Sequence, residues 1–508
     1  AAARLSHGMI ELGEKLDDPY TVENVRSAVR SLYPSKADRV DIHPTDLYVR
    51  FLPVSESQLH HLEGLGLYLM DHPMDYRIAK EGDWYHDPLL DDEAITWQYA
   101  VVPKDFNFPE EIVYEVLDHC YISEHDPDTR SGDGIDWEAV ERESFRLTGN
   151  ACLGAAVTRG GAESAAPSGR ITFQDPGFSG GKPVGVAGVM VACNVFVKIA
   201  YAYTDRDGYY SMDVKFASEP RYRLVFKNQA GFSIGFNLVL VPASVSTLGS
   251  ASPEGIDYNV TEEDDAMLLG RTAVNAAAYD YRYRCDALGI NPPPGDIRIW
   301  IIPFLPNSST PMLHHGTVLD IDLIKQYVGA YAPAVAMFLP DITVGARDSA
   351  SFADYYSSTV HELAHASHYT KMGNTLWNAY VAYIVKSFVT EGGTPYGSGP
   401  GTGITLGLPA ELFEKGAGMC EGGEMWAYFL GASLDKDRYG GSMPSFPSWL
   451  WFRPEILSWI YERGTTREEI FRALGEESAD AAGLRRRLTE LYPERDGLFE
   501  EAFKYYGK

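Results

Sequence analysis

Thr359-Val360-His361-Glu362-Leu363-Ala364-His365-Ala366-Ser367-His368-Tyr369 is the stretch from which the rest of this 508-residue chain is read. It contains His-Glu-x-x-His. On a helix, His361 and His365 stand one turn apart and point the same way. Two imidazoles so placed grip one Zn²⁺ at roughly 2.0–2.1 Å each. Glu362 lies beside them, within reach of an attacking water without ligating the ion. The flanks predict the helix. Phe352, Tyr355, Tyr356, Val360, Leu363 and Ala364 recur at helical spacing, with no Gly or Pro between Ser349 and Met372, and Gly373 closes it. The plain alternative is a chance pattern of core histidines. Against it, a Glu between two His on an apolar helix is costly to bury without a metal or partner.

Composition narrows the rest. Asp and Glu number 71 against 43 Lys and Arg, a net charge of −28. That disfavours nucleic acid and anionic membrane surfaces as partners. Five cysteines, at 120, 152, 193, 285 and 420, include no Cys-x-x-Cys. They read as neither a disulfide scaffold nor a thiolate metal site. No apolar run reaches the ~18 residues of a membrane span. The 32 Tyr fit an extracytoplasmic protein that meets carbohydrate or peptide. The chain starts Ala-Ala-Ala-Arg, without Met, so any signal or lipid anchor would lie upstream of it and its absence does not argue for the cytoplasm.

Residues 1–121 predict an α+β domain. Helices are expected over 22–32, after Ser55, and over 110–120, with strands over 47–52, 65–70 and 96–102. Residues 122–167 read as a linker carrying one helix, 137–147. Residues 168–248 predict a β-sandwich of short runs at 171–173, 184–191, 195–203, 209–214, 222–226 and 232–241. Asp205-Arg206-Asp207-Gly208 is a tight turn between two of them. Asp205, Asp207 and Asp213 are either calcium ligands or, more simply, a solvated turn. Residues 249–508 predict a mainly helical domain with a small sheet. A helix starts at Thr261 and runs to about Cys285, and strands follow at 297–304 and 335–339. Beyond the metal helix come helices over 376–389, 409–433, 454–463, 466–474, 481–491 and 497–505, with a Gly-rich loop at 392–403. The whole is a multidomain α+β chain.

A catalytic zinc site needs a third protein ligand. His368 follows His365 at i+3 without the glycine that precedes the third histidine of metzincins. The search therefore turns to a downstream Glu. Glu424 in Cys420-Glu421-Gly422-Gly423-Glu424-Met425-Trp426-Ala427-Tyr428 is the first choice, Glu421 the second and Glu391 the outsider. Glu-Met-Trp-Ala-Tyr resembles the glutamate helix of gluzincins, although Tyr428 stands where many of them carry an acid. The metal helix, this helix and residues 47–53 together resemble zinc metallopeptidases carried by bacterial cell-surface lipoproteins. Gly169-Arg170-Ile171, Pro183-Val184-Gly185-Val186 and residues 204–210 resemble carboxypeptidase-regulatory-like domains.

The resemblance implies a zincin-like catalytic domain and hydrolysis of a protein or peptide substrate, host glycoproteins among them. His361, His365 and Glu424 would hold Zn²⁺ and Glu362 would act as general base. A Tyr or His should stabilise the oxyanion; Tyr428, Tyr439, Tyr396 and His368 are the candidates, and the sequence does not choose among them. The rival expectation, from the β-rich region and the tyrosines, is a surface protein that binds protein or glycan with a non-catalytic zinc.

Overall fold

The computed structural model describes residues 8–37, 40–91, 94–127, 129, 134–151, 164–235, 243–302, 308–316, 339–345, 351–447 apart from 391–417, and 450–508; within these, side chains are described except at 382–390 and 418–419. These residues build a mixed α/β architecture with ten α-helices and several sheets, divided into two compact units.

The first unit comprises Ala1–Phe173, Pro183–Lys227 and Asn237–Leu268. Strand β1 (Glu11–Lys15) pairs antiparallel with β3 (Tyr76–Lys80). Helix α1 (Val22–Leu32) begins at Thr21, whose hydroxyl accepts the Asn24 N–H. Its buried residues Val25, Ala28 and Val29 recur at i, i+3 and i+4. They pack with Ile42, Tyr121 and Val140 of α3 (Trp137–Leu147). The helix inside the expected linker thus contributes to a core. Strand β2 (Asp46–Leu52) lies between β4 (Gln98–Pro103) and β5 (Val113–Cys120), antiparallel to both. Leu47, Val49 and Phe51 alternate onto one face and meet Leu62 of α2 (Glu56–Gly64), which Ser55 caps.

Two expectations fail here. Residues 110–120 are not a helix but supply β5. Val113, Tyr114 and Val116 are β-branched or aromatic, and β2 offers them a full ladder of backbone partners. Residues 65–70 form no strand beyond a single bridge from Met70 to Tyr99, because Gly66 turns the chain at φ +78°.

The same unit holds two four-stranded sheets. In one, β6 (Ser168–Phe173) pairs with β7 (Val184–Gly185), β10 (Tyr209–Ser211) and β15 (Tyr258–Val260). In the other the order is β14 (Val245–Ser250), β11 (Arg221–Val225), β8 (Met190–Val195), β9 (Lys198–Tyr203). The Asp205 turn forms as expected. Asp205 Oδ1 accepts the N–H groups of Asp207 and Tyr209, which commits that oxygen to the turn. Lys198, only 2% exposed, is met by Glu124 at 2.6 Å and Glu141 at 3.2 Å.

The second unit comprises Gln174–Lys182, Asn228–Phe236 and Leu269–Lys508. Strand β13 (Phe232–Gly235), expected in the sandwich, instead joins this unit's sheet. That sheet runs β12 (Lys227–Asn228), β13, β16 (Ile297–Ile302), β17 (Ile342–Gly345), and β16 is parallel to both neighbours. All six β16 residues are buried, so the strand needs a partner on each side. The strand expected at 335–339 lies largely outside the described residues; β17 begins three residues later. Helix α4 (Ala266–Leu288) starts later than predicted. Thr261 and Asp264 close a turn on each other, and Asp265 Oδ1 accepts the Met267 N–H at the true start.

Helix α5 (Phe352–Thr390) carries the His-Glu-x-x-His stretch and is broken at Gly373 (φ +71°, ψ +158°). Helix α6 (Gly418–Tyr439) packs along it, with Trp426 Nε1 donating to Ala364 O at 3.2 Å. Helices α7 (Glu455–Glu462), α8 (Arg467–Ala473), α9 (Ala481–Leu491) and α10 (Asp496–Tyr505) follow near their expected positions. A reciprocal cap between Thr466 and Glu469 starts α8. Among the described residues no helix is long and apolar enough to cross a membrane. Glu391, Tyr396 and the Gly-rich loop 392–403 lie outside the described residues.

Candidate metal centre

The site forms where α5 faces α6. Helical spacing puts His361 and His365 on one side of α5, ring centroids 5.0 Å apart. Glu424 reaches them from α6. Its Oε1 is 3.4 Å from His365 Nε2 and its Oε2 is 3.9 Å from His361 Nε2. One ligand atom from each of the three residues lies within 4.8 Å of the other two. A tetrahedral ion with bonds of 2.0–2.1 Å has ligand atoms about 3.3 Å apart, so small side-chain adjustments close the cage. Glu424 is 1% exposed and His365 4%, whereas the His361 side chain is 20% exposed, so the cluster opens on the His361 side.

Electrostatics ready the donors. Burial alone would raise the Glu424 carboxyl, but the charge and hydrogen bond of His365, then His361 and Tyr380, hold it at about 2. Burial, with His365 beside it, depresses His361 to about 3 despite Glu424. Burial also disfavours the charged form of His365, yet the charge and hydrogen bond of Glu424 outweigh it and raise its pKa. The cluster therefore sets an ionised Glu424 carboxylate beside a neutral His361 imidazole, the protonation states in which such groups bind a divalent cation. Two imidazoles and a carboxylate are a donor set that suits Zn²⁺.

Glu362, buried on the same helix, is held from the other side by Thr310. Thr310 Oγ1 lies 2.7 Å from Glu362 Oε2 and 2.9 Å from its carbonyl oxygen. Burial raises its carboxyl to about 7, with Glu424 adding to the rise and His365 and Thr310 opposing it. A carboxylate poised there suits proton transfer near neutral pH.

The other expected residues separate clearly. Tyr428 sets its ring edge against His361 at 4.6 Å and packs on Phe446 and Phe452. Its hydroxyl makes no hydrogen bond among the described residues, and burial followed by the Glu424 and Glu362 charges keeps it protonated. Tyr439 is committed elsewhere, donating to Asp175 Oδ2 at 2.8 Å. His368 is 1% exposed against Trp377, too enclosed to meet a substrate carbonyl. Glu421, one turn before Glu424, accepts the Ala481 N–H at the start of α9 and pairs with Lys508.

Three contributors went unnoticed in the sequence. Tyr380 donates to Glu424 Oε1 at 2.8 Å, Thr310 holds Glu362, and Trp377 packs near both His365 and His368. Trp377 and Tyr380 come one turn apart on the helical run after Gly373, a spacing visible in the sequence, but their direction depends on the break. Thr310 lies outside helix and strand and gave no signal. No protein-family model, no curated protein and no solved structure matches this chain.

Proposed function

We propose that the chain is a zinc metallopeptidase of gluzincin-like type. In this reading its helical unit is the catalytic domain, and the strands between 168 and 225 with the one at 245–250 form a carboxypeptidase-regulatory-like accessory module. The protein would work outside the cytoplasm, as a secreted or surface-anchored hydrolase. The observation that carries the reading is the meeting of His361, His365 and Glu424 within 4.8 Å, with the buried acid Glu362 beside them.

When bound, Zn²⁺ supplies Lewis acidity, lowering the pKa of a water toward ~7 and polarising the scissile carbonyl. Glu362 takes the proton of the attacking water and returns it to the leaving amine. Thr310 restrains that carboxylate, so its orientation is set before substrate arrives. Tyr380 fixes one oxygen of Glu424 and turns the carboxylate toward the histidines. Tyr428, protonated and on the open His361 side, is the donor for the developing oxyanion.

The test pairs elemental analysis of the purified chain with cleavage of a peptide library. One zinc per chain and metal-dependent cleavage are expected. Glu362→Gln should keep the zinc and lose roughly 10²–10⁴-fold in rate. Full activity in that variant would remove Glu362 from the mechanism. Zinc without cleavage of any peptide would favour a binding protein instead.

A further inference from the structure

The first unit contains a buried cation that pairs directly with no acid among the described residues. Arg223, in the middle of β11, is 2% exposed. Its Nε donates to Tyr68 Oη at 2.7 Å and its Nη2 to Asn194 Oδ1 at 2.8 Å, with Met70 Sδ at 3.5 Å. All three partners are neutral. Nη1 is buried and meets no partner among the described residues. Its neighbours on the same strand and just beyond are handled differently. Arg221 is paired to Glu81 at 2.5 Å, and Lys227 to Glu63 at 3.1 Å. A buried guanidinium without a counter-charge is costly, and its planar fork matches a carboxylate.

Arg223 lines a cavity of about 90 Å³, room for several water molecules or one small organic acid. Arg221 and Gln98 share its polar side, and Leu59, Leu69, Val225, Ala243 and Val245 give an apolar side. Three acids also line it, and each is engaged. Asp71 holds His72 Nδ1 at 2.7 Å and the Tyr85 N–H at 2.6 Å, Asp83 accepts the Thr247 N–H at 2.9 Å, and Glu63 holds Lys227 and His60. They set a negative field across the cavity, which a singly charged ligand bound to Arg223 meets at less cost than a doubly charged one.

We propose that this cavity binds a small monocarboxylic acid with a short apolar tail. The carboxylate docks on Arg223 Nη1 and the tail lies against Val225, Ala243 and Val245. A dianion such as phosphate is rejected by Asp71 and Asp83. The site is independent of the metal centre and of any peptidase activity.

Thermal unfolding of the full chain with sodium butyrate as the probe tests it. Sodium chloride and sodium phosphate at equal ionic strength, and n-butanol at equal concentration, are the comparisons. Butyrate should raise Tm saturably, by about 2 °C, and the other three should not. Ala243→Leu, which fills the tail space and leaves every charge in place, should abolish the rise. Arg223→Met should abolish it as well. If that variant fails to fold, the comparison of solutes and Ala243→Leu decide alone. Equal shifts from all the salts, a shift from phosphate but not butyrate, or a butyrate shift that survives Ala243→Leu would each overturn the proposal.

Discussion

Two buried charged clusters, one in each unit, are built on opposite plans. Around Lys198 the ammonium is flanked by Glu124 and Glu141, so the chain supplies both signs. Around His365 it brings together two imidazoles and two acids, Glu424 and Glu362. The first cluster is complete and reads as structural. The second matches the donor set of a divalent-cation site. Even within α6 the contrast holds over one turn: Glu421 is answered by Lys508 and a backbone N–H, while Glu424 faces the histidines and Tyr380. Burial of an acid is thus no mark of a ligand; the identity of its partners is.

The sharpest way to break this contrast is to neutralise the two α6 acids separately. Glu424→Gln should abolish stoichiometric zinc, measured by elemental analysis, and with it all hydrolysis. Glu421→Gln should leave zinc in place and cost about 1–3 kcal/mol of stability, because its one remaining oxygen is uncharged and cannot serve both the helix-starting N–H and the Lys508 ammonium. Equal zinc in both variants would mean that Glu424 is not the third ligand. Next in size is Lys198→Met, which strands two acids. It should destabilise by about 3 kcal/mol in urea unfolding with unchanged zinc content. Tyr380→Phe frees one oxygen of Glu424 and should weaken zinc about 10–100-fold in competition with a chelator.

The smallest effect is a pH dependence. His315 Nδ1 lies 2.9 Å from buried Asp341 Oδ2, and that hydrogen bond raises the imidazole pKa against the opposing effect of burial. A raised histidine stabilises fully below its unfolded value of about 6.5 and loses that contribution as pH rises through its folded value. The urea midpoint should therefore fall above about pH 6.5, and His315→Gln should flatten this fall. An unchanged profile in the variant would assign the pH dependence to other groups.

The helical unit was legible because its signals are local. His361, Glu362 and His365 share one helix, Gly373 announces its own break, and Thr466 with Glu469 spells a cap within four residues. What the sequence concealed depends on distant partners. Residues 113–120 carry apolar spacing compatible with either structure until β2 offers a ladder. Strand β13 sits next in sequence to the β-rich run yet is claimed by β16, whose six buried residues outbid it. At the site, Glu424 and Glu421 were both plausible acids, and only the positions of Ala481 and Lys508 distinguish them. Thr310 had no local pattern to betray it, and the one-turn spacing of Trp377 and Tyr380 did not reveal a target, since each of Thr310 and Tyr380 acts across 44 residues or more.

Gly373 deserves its place in the machinery although it touches nothing chemical. Its backbone adopts a conformation that side-chain-bearing residues enter reluctantly, and there the chain changes heading between His368 and Trp377. One stretch of polypeptide thereby furnishes both the imidazoles and, after the elbow, the phenol that steadies their carboxylate neighbour. A methyl group added at Gly373 would strain the backbone at this turn and crowd Glu476 Oε1 at 3.0 Å, at the bend after which the chain delivers Tyr380 to Glu424.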